Sequence, residues 1–401
     1  MEKSLDIKLA QIHAHADSKA FILADAKDAD MAFGLAACGK GPERDERAFR
    51  SLEEYREQMR QIVRQGLVDI MLMSVSTSEQ LTIRDKVFAR SRITPAIRAN
   101  DTTEIHSPRG GGGAYHRQPA MPFRTALLDH AQCGRQGCRH CERCVGASLG
   151  LYSVTFNNDA RLDRETLEAY KAFRIEAEQK KFRHFLEVFD PNAPTHPIEA
   201  QRLGDFMNDL IARTLAGVAE AGRPIFLKVV YHGPKAMEDL AHFDRHLVPG
   251  ILGGSSGTTY DAFKLLDEAR KHGAKAALFG RKINHSEHQL SFVQFLRWIA
   301  DGEASPEEAL RAYHGVLQGL GITPIRPLEE DAQLTEPSLQ YLQSAGAGKR
   351  ASWVVSSPAG GNGQANWPTK PDGGPDFAKM TSQQRLAYHS ARLNRQIDGR
   401  N

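Results

Sequence analysis

The stretch ILGGSSGTTYDAFKLLDEARKHGAKAALFGRK, residues 251–282, decides the fold class of this chain. It starts with a short apolar run and two glycines, and it ends with a second apolar run, AALFG at 276–280. Between them, apolar residues recur at spacings of three and four up to a glycine, which is typical of an amphipathic helix. A strand, a helix and a strand in this order indicate a βα unit of a parallel sheet.

The same alternation extends through residues 20–325. Short apolar runs predict eight strands, at 21–26, 68–74, 94–99, 151–156, 184–189, 224–231, 250–254 and 276–280. Helical patterns separate many of them, as in SLEEYREQMRQIVRQG and DRETLEAYKAFRIEAEQKKF. Eight such units close most economically into a (β/α)₈ TIM barrel, while an open doubly wound sheet stays possible because periodicity does not show closure.

Residues 1–330 are predicted to form this barrel domain, and a Gly/Pro-rich and Cys-rich insertion interrupts it at about 100–148. A late helix is expected to begin at Ser305, because Pro306 and Glu308 complete a capping box. Residues 331–401 contain the stretch SSPAGGNGQANWPTKPDGGPDF, which has few core-forming residues. We expect a flexible tail there, with a possible terminal helix at 380–397.

The amino-acid composition limits the classes of binding partner that we expect for this chain. The 401 residues include 52 Lys+Arg and 49 Asp+Glu, and a net charge of +3 is too small to indicate a surface for nucleic acid or for an anionic membrane. No run of 18 apolar residues predicts a membrane span, and the N-terminus lacks the apolar segment of a signal peptide. The sequence therefore predicts a cytoplasmic protein.

Lys228 lies within the apolar run PIFLKVVY, and alternation places it on the same face as Phe226 and Val230. An amine in apolar surroundings is favoured in its neutral form, which is the form that attacks a carbonyl to make a Schiff base. Glu187 is embedded in the same way in HFLEVF, and one crossover helix fits between the two residues. The pair is expected on neighbouring strands, where it could handle protons or form a purely structural ion pair.

Asp25 ends the first predicted strand, in LADAKDADMAFG, and Lys27 is expected to face the same way. Asp25 could act as the acid or base for a substrate hydroxyl when a carbon–carbon bond breaks. Lys27 is the rival nucleophile. Lys228 is preferred because Lys27 has several aspartates around it, and opposite charge favours the ammonium form.

Glycine turns follow the seventh and eighth predicted strands. Gly253, Gly254 and Ser255 belong to the first turn, and Gly280 and Arg281 belong to the second. In a barrel, the backbone N–H groups of these two loops and a nearby cation form a phosphate cradle. The two turns together predict a phosphate-binding site.

These features, in this order, resemble the DeoC/LacD-type class I aldolases, which include tagatose-bisphosphate and archaeal-type fructose-bisphosphate aldolases. The resemblance covers about residues 15–320 and is strongest over 220–290. It implies a (β/α)₈ barrel, a Schiff-base lysine at Lys228, phosphate at Gly254, Gly280 and Arg281, and a homo-oligomer. One departure is Lys282, which follows Arg281 where the family has Asn.

Four cysteines form the pattern C-x₄-C-x₂-C-x₂-C within twelve residues: Cys133, Cys138, Cys141 and Cys144. Their surroundings are glycine-rich and charged, unlike those of buried structural cysteines. They are interpreted as metal ligands, with structural Zn²⁺ favoured over an iron–sulfur cluster or free regulatory thiols.

The sequence thus predicts a class I aldolase for a phosphorylated sugar or related ketose, with no cofactor required for catalysis. Two alternatives stay open. One is a phosphosugar isomerase or aldol-type transferase on the same barrel, and the other is a non-catalytic, metal-containing metabolite-binding protein.

Overall fold

The computed structural model describes residues 1–40, 49–254, 257–339 and 341–342, with the short pieces 367–370, 375–376, 379–380, 384 and 388. Its centre is a closed barrel of eight parallel strands, in which each strand pairs with its neighbours in chain order and the first pairs with the last. The strands, β1 to β8, are Ile22–Lys27, Ile70–Met73, Thr94–Arg98, Leu149–Thr155, Arg183–Phe189, Leu227–Val229, Gly250–Leu252 and Ala276–Phe279. The predicted TIM barrel is confirmed, and the open sheet is excluded.

Helices cover the outside of the barrel. Those of ten residues or more in the described chain, α1 to α8, are Ser4–Ala14, Leu52–Gln65, Ala160–Gln179, Leu203–Ala216, Pro234–Phe243, Thr259–Lys271, Gln289–Asp301 and Pro306–Gly319. Shorter helices include Asp30–Phe33, Leu128–Cys133, Arg281–Asn284 and Leu328–Asp331. The capping box at the start of α8 is present, with Ser305 accepting from the Glu308 amide. None of the described helices is long and apolar enough to cross a membrane.

The buried apolar residues form two layers. Inside the barrel, one cluster includes Ile22, Ala24 and Ala26 of β1 together with Phe185 of β5 and Phe226 of β6. Between the strands and the helices, a larger cluster holds the alternate residues of the same strands. Because successive strand residues point to opposite faces, membership of these clusters shows which side chains face the barrel interior.

The insertion between β3 and β4 starts with a short antiparallel pair, Asp101–Thr102 with Phe123–Pro122, and continues into the helix Leu128–Cys133. Part of the region assigned to the tail also lies on the barrel. Leu339 is fully buried in the outer apolar cluster, and Tyr341 packs against that cluster. Most of the terminal helix expected at 380–397 falls outside the described residues.

Candidate active site

Lys228 and Glu187 lie directly opposite each other on adjacent strands, β6 and β5. Their neighbours at two-residue spacing, Phe226 and Phe185, stack inside the barrel, so both polar side chains also face the interior. Lys228 Nζ contacts Glu187 Oε1, and the two side chains are 9% and 1% exposed. The arrangement gives the lysine a carboxylate partner that can accept its proton.

The second oxygen of Glu187 is held by β4. Ser153, the register partner of Glu187, donates its hydroxyl to Glu187 Oε2 at 2.6 Å. The Asn100 side chain holds the backbone of Ser153 with two hydrogen bonds. Asn100 Oδ1 accepts the Ser153 N–H at 2.6 Å, and Asn100 Nδ2 donates to the Ser153 carbonyl at 2.8 Å. The carboxylate is therefore fixed in one orientation relative to Lys228.

Arg98 of β3 extends this network across the barrel. Its guanidinium lies 2.9 Å from Asp28, 3.3 Å from Asp101 and 3.7 Å from Glu187. Burial acts to lower the pKa of Arg98, but the three carboxylates outweigh burial and raise that pKa. Arg98 is thus a permanent positive charge at the centre of the site.

Sequence reasoning missed Arg98, although the signal used for Lys228 was present. Arg98 lies in the apolar run TPAIRA, at two-residue spacing from Ala96, which faces the barrel interior. A charge embedded in an apolar strand requires partners, and here the partners come from three other parts of the chain.

The structure places Asp25 on the opposite face of its strand from the barrel interior, where Lys228 lies. Ile22, Ala24 and Ala26 fill the interior side of β1, so Asp25 and Lys27 point toward the helices. Asp25 Oδ2 lies 3.5 Å from Lys27 Nζ, and both side chains are fully buried. The carboxylate that reaches the interior network from this part of the chain is Asp28, which directly follows β1 and contacts Arg98.

Lys27 is enclosed by side chains on the helix side of the barrel. It donates to Gln289 at 2.8 Å and to Asn284, and its ammonium lies 5.9 Å from the ring centre of Tyr55. Burial lowers the pKa of Lys27, although Asp25 opposes the shift. Burial also raises the pKa of Asp25 to about 6, against the opposing charge of Lys27. This second buried pair is separate from the interior network.

The two glycine turns lie at the carboxyl ends of β7 and β8. Gly254 has φ +72°, which favours glycine, and a Cβ on Gly280 would stand 2.6 Å from the Ala26 carbonyl oxygen. Arg281 is exposed and begins the short helix Arg281–Asn284. The N–H of Gly253 already donates to the Leu278 carbonyl at 2.8 Å. Ser255 lies outside the described residues.

A cleft of about 590 Å³ opens between the loops that follow β1 and β3. Asp30, His106 and Arg109 supply its polar groups, and Phe33 and Leu35 supply apolar surface. Asp30 follows Asp28 by two residues, so the cleft lies beside the loop that carries the interior carboxylate.

The cysteines do not form the predicted four-cysteine metal centre. Cys133 and Cys138 are joined by a disulfide, which removes two of the four thiolates, while Cys141 and Cys144 are free and exposed. A closed Cys₄ site needs four thiolates around one ion. Across the described residues, which include all four cysteines, no group of three or more His, Cys, Asp or Glu is arranged to hold a metal ion. The zinc and iron–sulfur interpretations are therefore not supported.

Comparison with known proteins shows relationships in structure alone. No family model matches the chain, and no curated protein matches its sequence. An archaeal fructose 1,6-bisphosphate aldolase superimposes with a TM-score of 0.52 at 12% identity, covering 74% of this chain and 99% of the other. A fructose-bisphosphate aldolase from Slackia heliotrinireducens gives 0.50 at 14% identity, covering 77% and 91%.

A third similar structure is an archaeal fructose-1,6-bisphosphate aldolase whose catalytic lysine is covalently bound to a carbinolamine intermediate. It gives a TM-score of 0.52 at 12% identity and covers 74% of this chain and all of the other. At such identities the likeness shows a shared fold. The fold that they share with this chain is the closed (β/α)₈ barrel.

Proposed function

We propose that this chain is a class I aldolase, which cleaves or forms a carbon–carbon bond in a sugar or related ketose through a Schiff base on Lys228. The observation that carries the proposal is the buried Lys228–Glu187 pair inside a closed barrel. Barrel aldolases that are similar in structure include one in which a lysine is bound covalently to substrate.

In the proposed reaction, the Lys228 amine attacks the ketone carbonyl, and the resulting carbinolamine loses water to give an imine. The imine takes up the electron pair of the carbon–carbon bond as that bond breaks. Glu187 accepts the ammonium proton and returns protons during formation and hydrolysis of the imine. Its fixed orientation, held by Ser153, keeps the acceptor oxygen against the amine.

Cleavage also requires a group that takes the proton of the substrate hydroxyl. Asp28, which directly follows β1, belongs to the interior network, and Arg98 holds it at 2.9 Å. We assign Asp28 to the role that the sequence suggested for Asp25, because Asp25 lies on the helix side of the strand. The cleft beside it would hold the departing aldehyde.

Borohydride trapping tests the proposal. The protein is incubated with a panel of ketoses and small ketones, reduced with borohydride, digested and mapped by mass spectrometry. A reduced adduct on the Lys228 peptide is expected, and the Lys27 peptide, from the other buried strand lysine, should stay unmodified and serves as the internal control. Lys228→Arg keeps the cation but cannot form an imine, so it should abolish both adduct and cleavage.

An adduct on Lys27 would move the nucleophile to β1. Turnover that survives in Lys228→Arg would contradict the Schiff base and would favour an isomerase or transferase in which Lys228 acts only as a positive charge.

A further inference from the structure

Glu104, in the loop that follows β3, turns its carboxylate toward the end of β4. Glu104 Oε1 accepts a hydrogen bond from the hydroxyl of Thr155, the last residue of β4. Leu151 and Ser153 face the barrel interior, and Thr155 follows them in the same alternation. Thr155 lies two residues, or about 7 Å, nearer the carboxyl end of the barrel than Ser153. The Glu104 carboxylate is therefore held on the interior side of the sheet, between Ser153 and the mouth of the barrel.

The second oxygen of this carboxylate is buried without a donor. Glu104 is 6% exposed, and within the part of the chain that the structure describes no group hydrogen-bonds Oε2 and no cation pairs with the carboxylate. The other carboxylates of the interior network share the guanidinium of Arg98, which lies within 4 Å of Asp28, Asp101 and Glu187. A buried polar atom is costly unless it is hydrogen-bonded. Glu104 Oε2 is thus an acceptor that a bound molecule can satisfy.

The loop that carries Glu104 is fixed on both sides of it. The Thr103 N–H donates to the Met121 carbonyl at 3.0 Å, and the Met121 N–H donates to the Thr103 hydroxyl at 3.0 Å. Beyond Glu104, the Ser107 N–H donates to the carbonyl of Ala32, in the loop that follows β1, at 3.0 Å. The acceptor oxygen is therefore in a defined place before any ligand binds, which lowers the cost of binding.

We propose that Glu104 is a specificity-determining residue, which accepts a hydrogen bond from a hydroxyl on the part of the substrate that leaves as the aldehyde. The carbon chain of a ketone bound to Lys228 runs past Glu104 toward the cleft that His106, two residues further on, helps to line. A hydroxyl donates to the free carboxylate oxygen, whereas a bare methylene group cannot. The inference rests on the proposed Schiff-base function and specifies its substrate as a ketose whose aldehyde half carries a free hydroxyl.

The first test is borohydride trapping as a function of ketone concentration. It uses sorbose, an unphosphorylated ketohexose, and dihydroxyacetone, which has no carbon beyond the bond that is cleaved. Glu104→Gln keeps the shape and removes the charge that strengthens the hydrogen bond. It should raise the half-saturating concentration of sorbose at least fivefold and that of dihydroxyacetone less than twofold, with the maximal trapping rates unchanged. Glu199→Gln removes an exposed carboxylate from the loop after β5 and should change neither concentration.

A structural role of Glu104 alone predicts a different result, because it affects both ketones alike. Equal increases for sorbose and dihydroxyacetone, slower maximal trapping, or an unchanged value for sorbose would therefore overturn the proposal. Should Glu104→Gln not fold, Glu104→Asp keeps the charge and withdraws the carboxylate by one methylene. The same selective increase for sorbose is then expected.

Sorbitol separates this proposal from the proposed function, because it has the hydroxyls of a hexose and no carbonyl that could form an imine. In calorimetric titration, sorbitol should bind wild type at least fivefold more tightly than Glu104→Gln, whether or not any ketone is trapped. If neither ketone is trapped but this difference is found, only the aldolase proposal fails. Equal sorbitol affinities would refute the role of Glu104.

Glucamine, in which an amine replaces one hydroxyl of sorbitol, tests the other kind of donor. Similar affinities of wild type for glucamine and sorbitol are expected. If glucamine binds wild type at least tenfold more tightly than sorbitol, and Glu104→Gln removes this preference, Glu104 recognises a cation and the assignment to a hydroxyl is overturned.

Discussion

Removal of the Ser153 hydroxyl tests whether the orientation of Glu187 matters for the chemistry at Lys228. In Ser153→Ala, Glu187 Oε2 loses a donor at 2.6 Å, and Arg98 Nη2 loses its contact with the hydroxyl at 3.1 Å. Both Ser153 and Glu187 are buried, so water does not readily replace the lost partner. A buried hydrogen bond to a charged group contributes about 1.5–3 kcal/mol.

We therefore expect Ser153→Ala to lower the free energy of unfolding by about 2 kcal/mol. If the same interaction also keeps Glu187 against the amine during proton transfer, the rate of imine formation should fall roughly 10- to 100-fold, since about 1.4 kcal/mol corresponds to a factor of ten. Ketone affinity should change little, because the hydroxyl acts through Glu187.

The assay is borohydride trapping at saturating ketone, with urea unfolding measured on the same preparations. Thr155→Val is the matched control, because Thr155 lies two residues on in β4, faces the same way and donates to a different carboxylate, Glu104. It should lose similar stability without slower trapping. The positioning argument would be refuted if Ser153→Ala were trapped at the wild-type rate, or if trapping were slowed equally in Ser153→Ala and Thr155→Val.

Two further measurements probe other parts of the molecule. Burial lowers the pKa of His184 to about 3, with Arg174 adding to the shift, so its contribution to stability is present above pH 6.5 and lost as pH falls toward 3. Between pH 7 and pH 5 the free energy of unfolding should therefore fall by about 2 kcal/mol because of His184. His184→Gln should remove this part of the pH dependence, as measured by urea unfolding at both pH values. The same pH dependence in wild type and variant would contradict this expectation. For the cysteines, alkylation in denaturant should label three thiols before reduction and five after it, with the disulfide peptide joining Cys133 to Cys138. Zinc bound at one equivalent would contradict that pairing.

The apolar runs identified the strands because each barrel strand is buried on both faces, which requires nearly continuous apolar sequence. For the same reason, polar residues inside those runs were conspicuous. Lys228 and Glu187 were found in this way, and Arg98 could have been found by the same rule. Capping at Ser305 was also visible, since it depends on residues three positions apart.

The sequence of β1 did not show which of its residues face the barrel interior. Its residues are buried on both sides, so LADAK fits either phase, and only closure of the barrel directs Asp25 outward and Asp28 inward. The pairing of Cys133 with Cys138 likewise depends on the path of the loop, because four cysteines allow several arrangements.

The sequence by itself determined the class of fold and the presence of an embedded lysine and glutamate, because alternation and burial are local properties of the chain. The tertiary structure alone decided which charges meet. Arg98 joins Asp28 and Glu187 across three strands, and Glu104 meets Thr155, which lies 51 positions further along the chain. Electrostatic interactions of this kind depend on distances in space, which local sequence patterns do not contain.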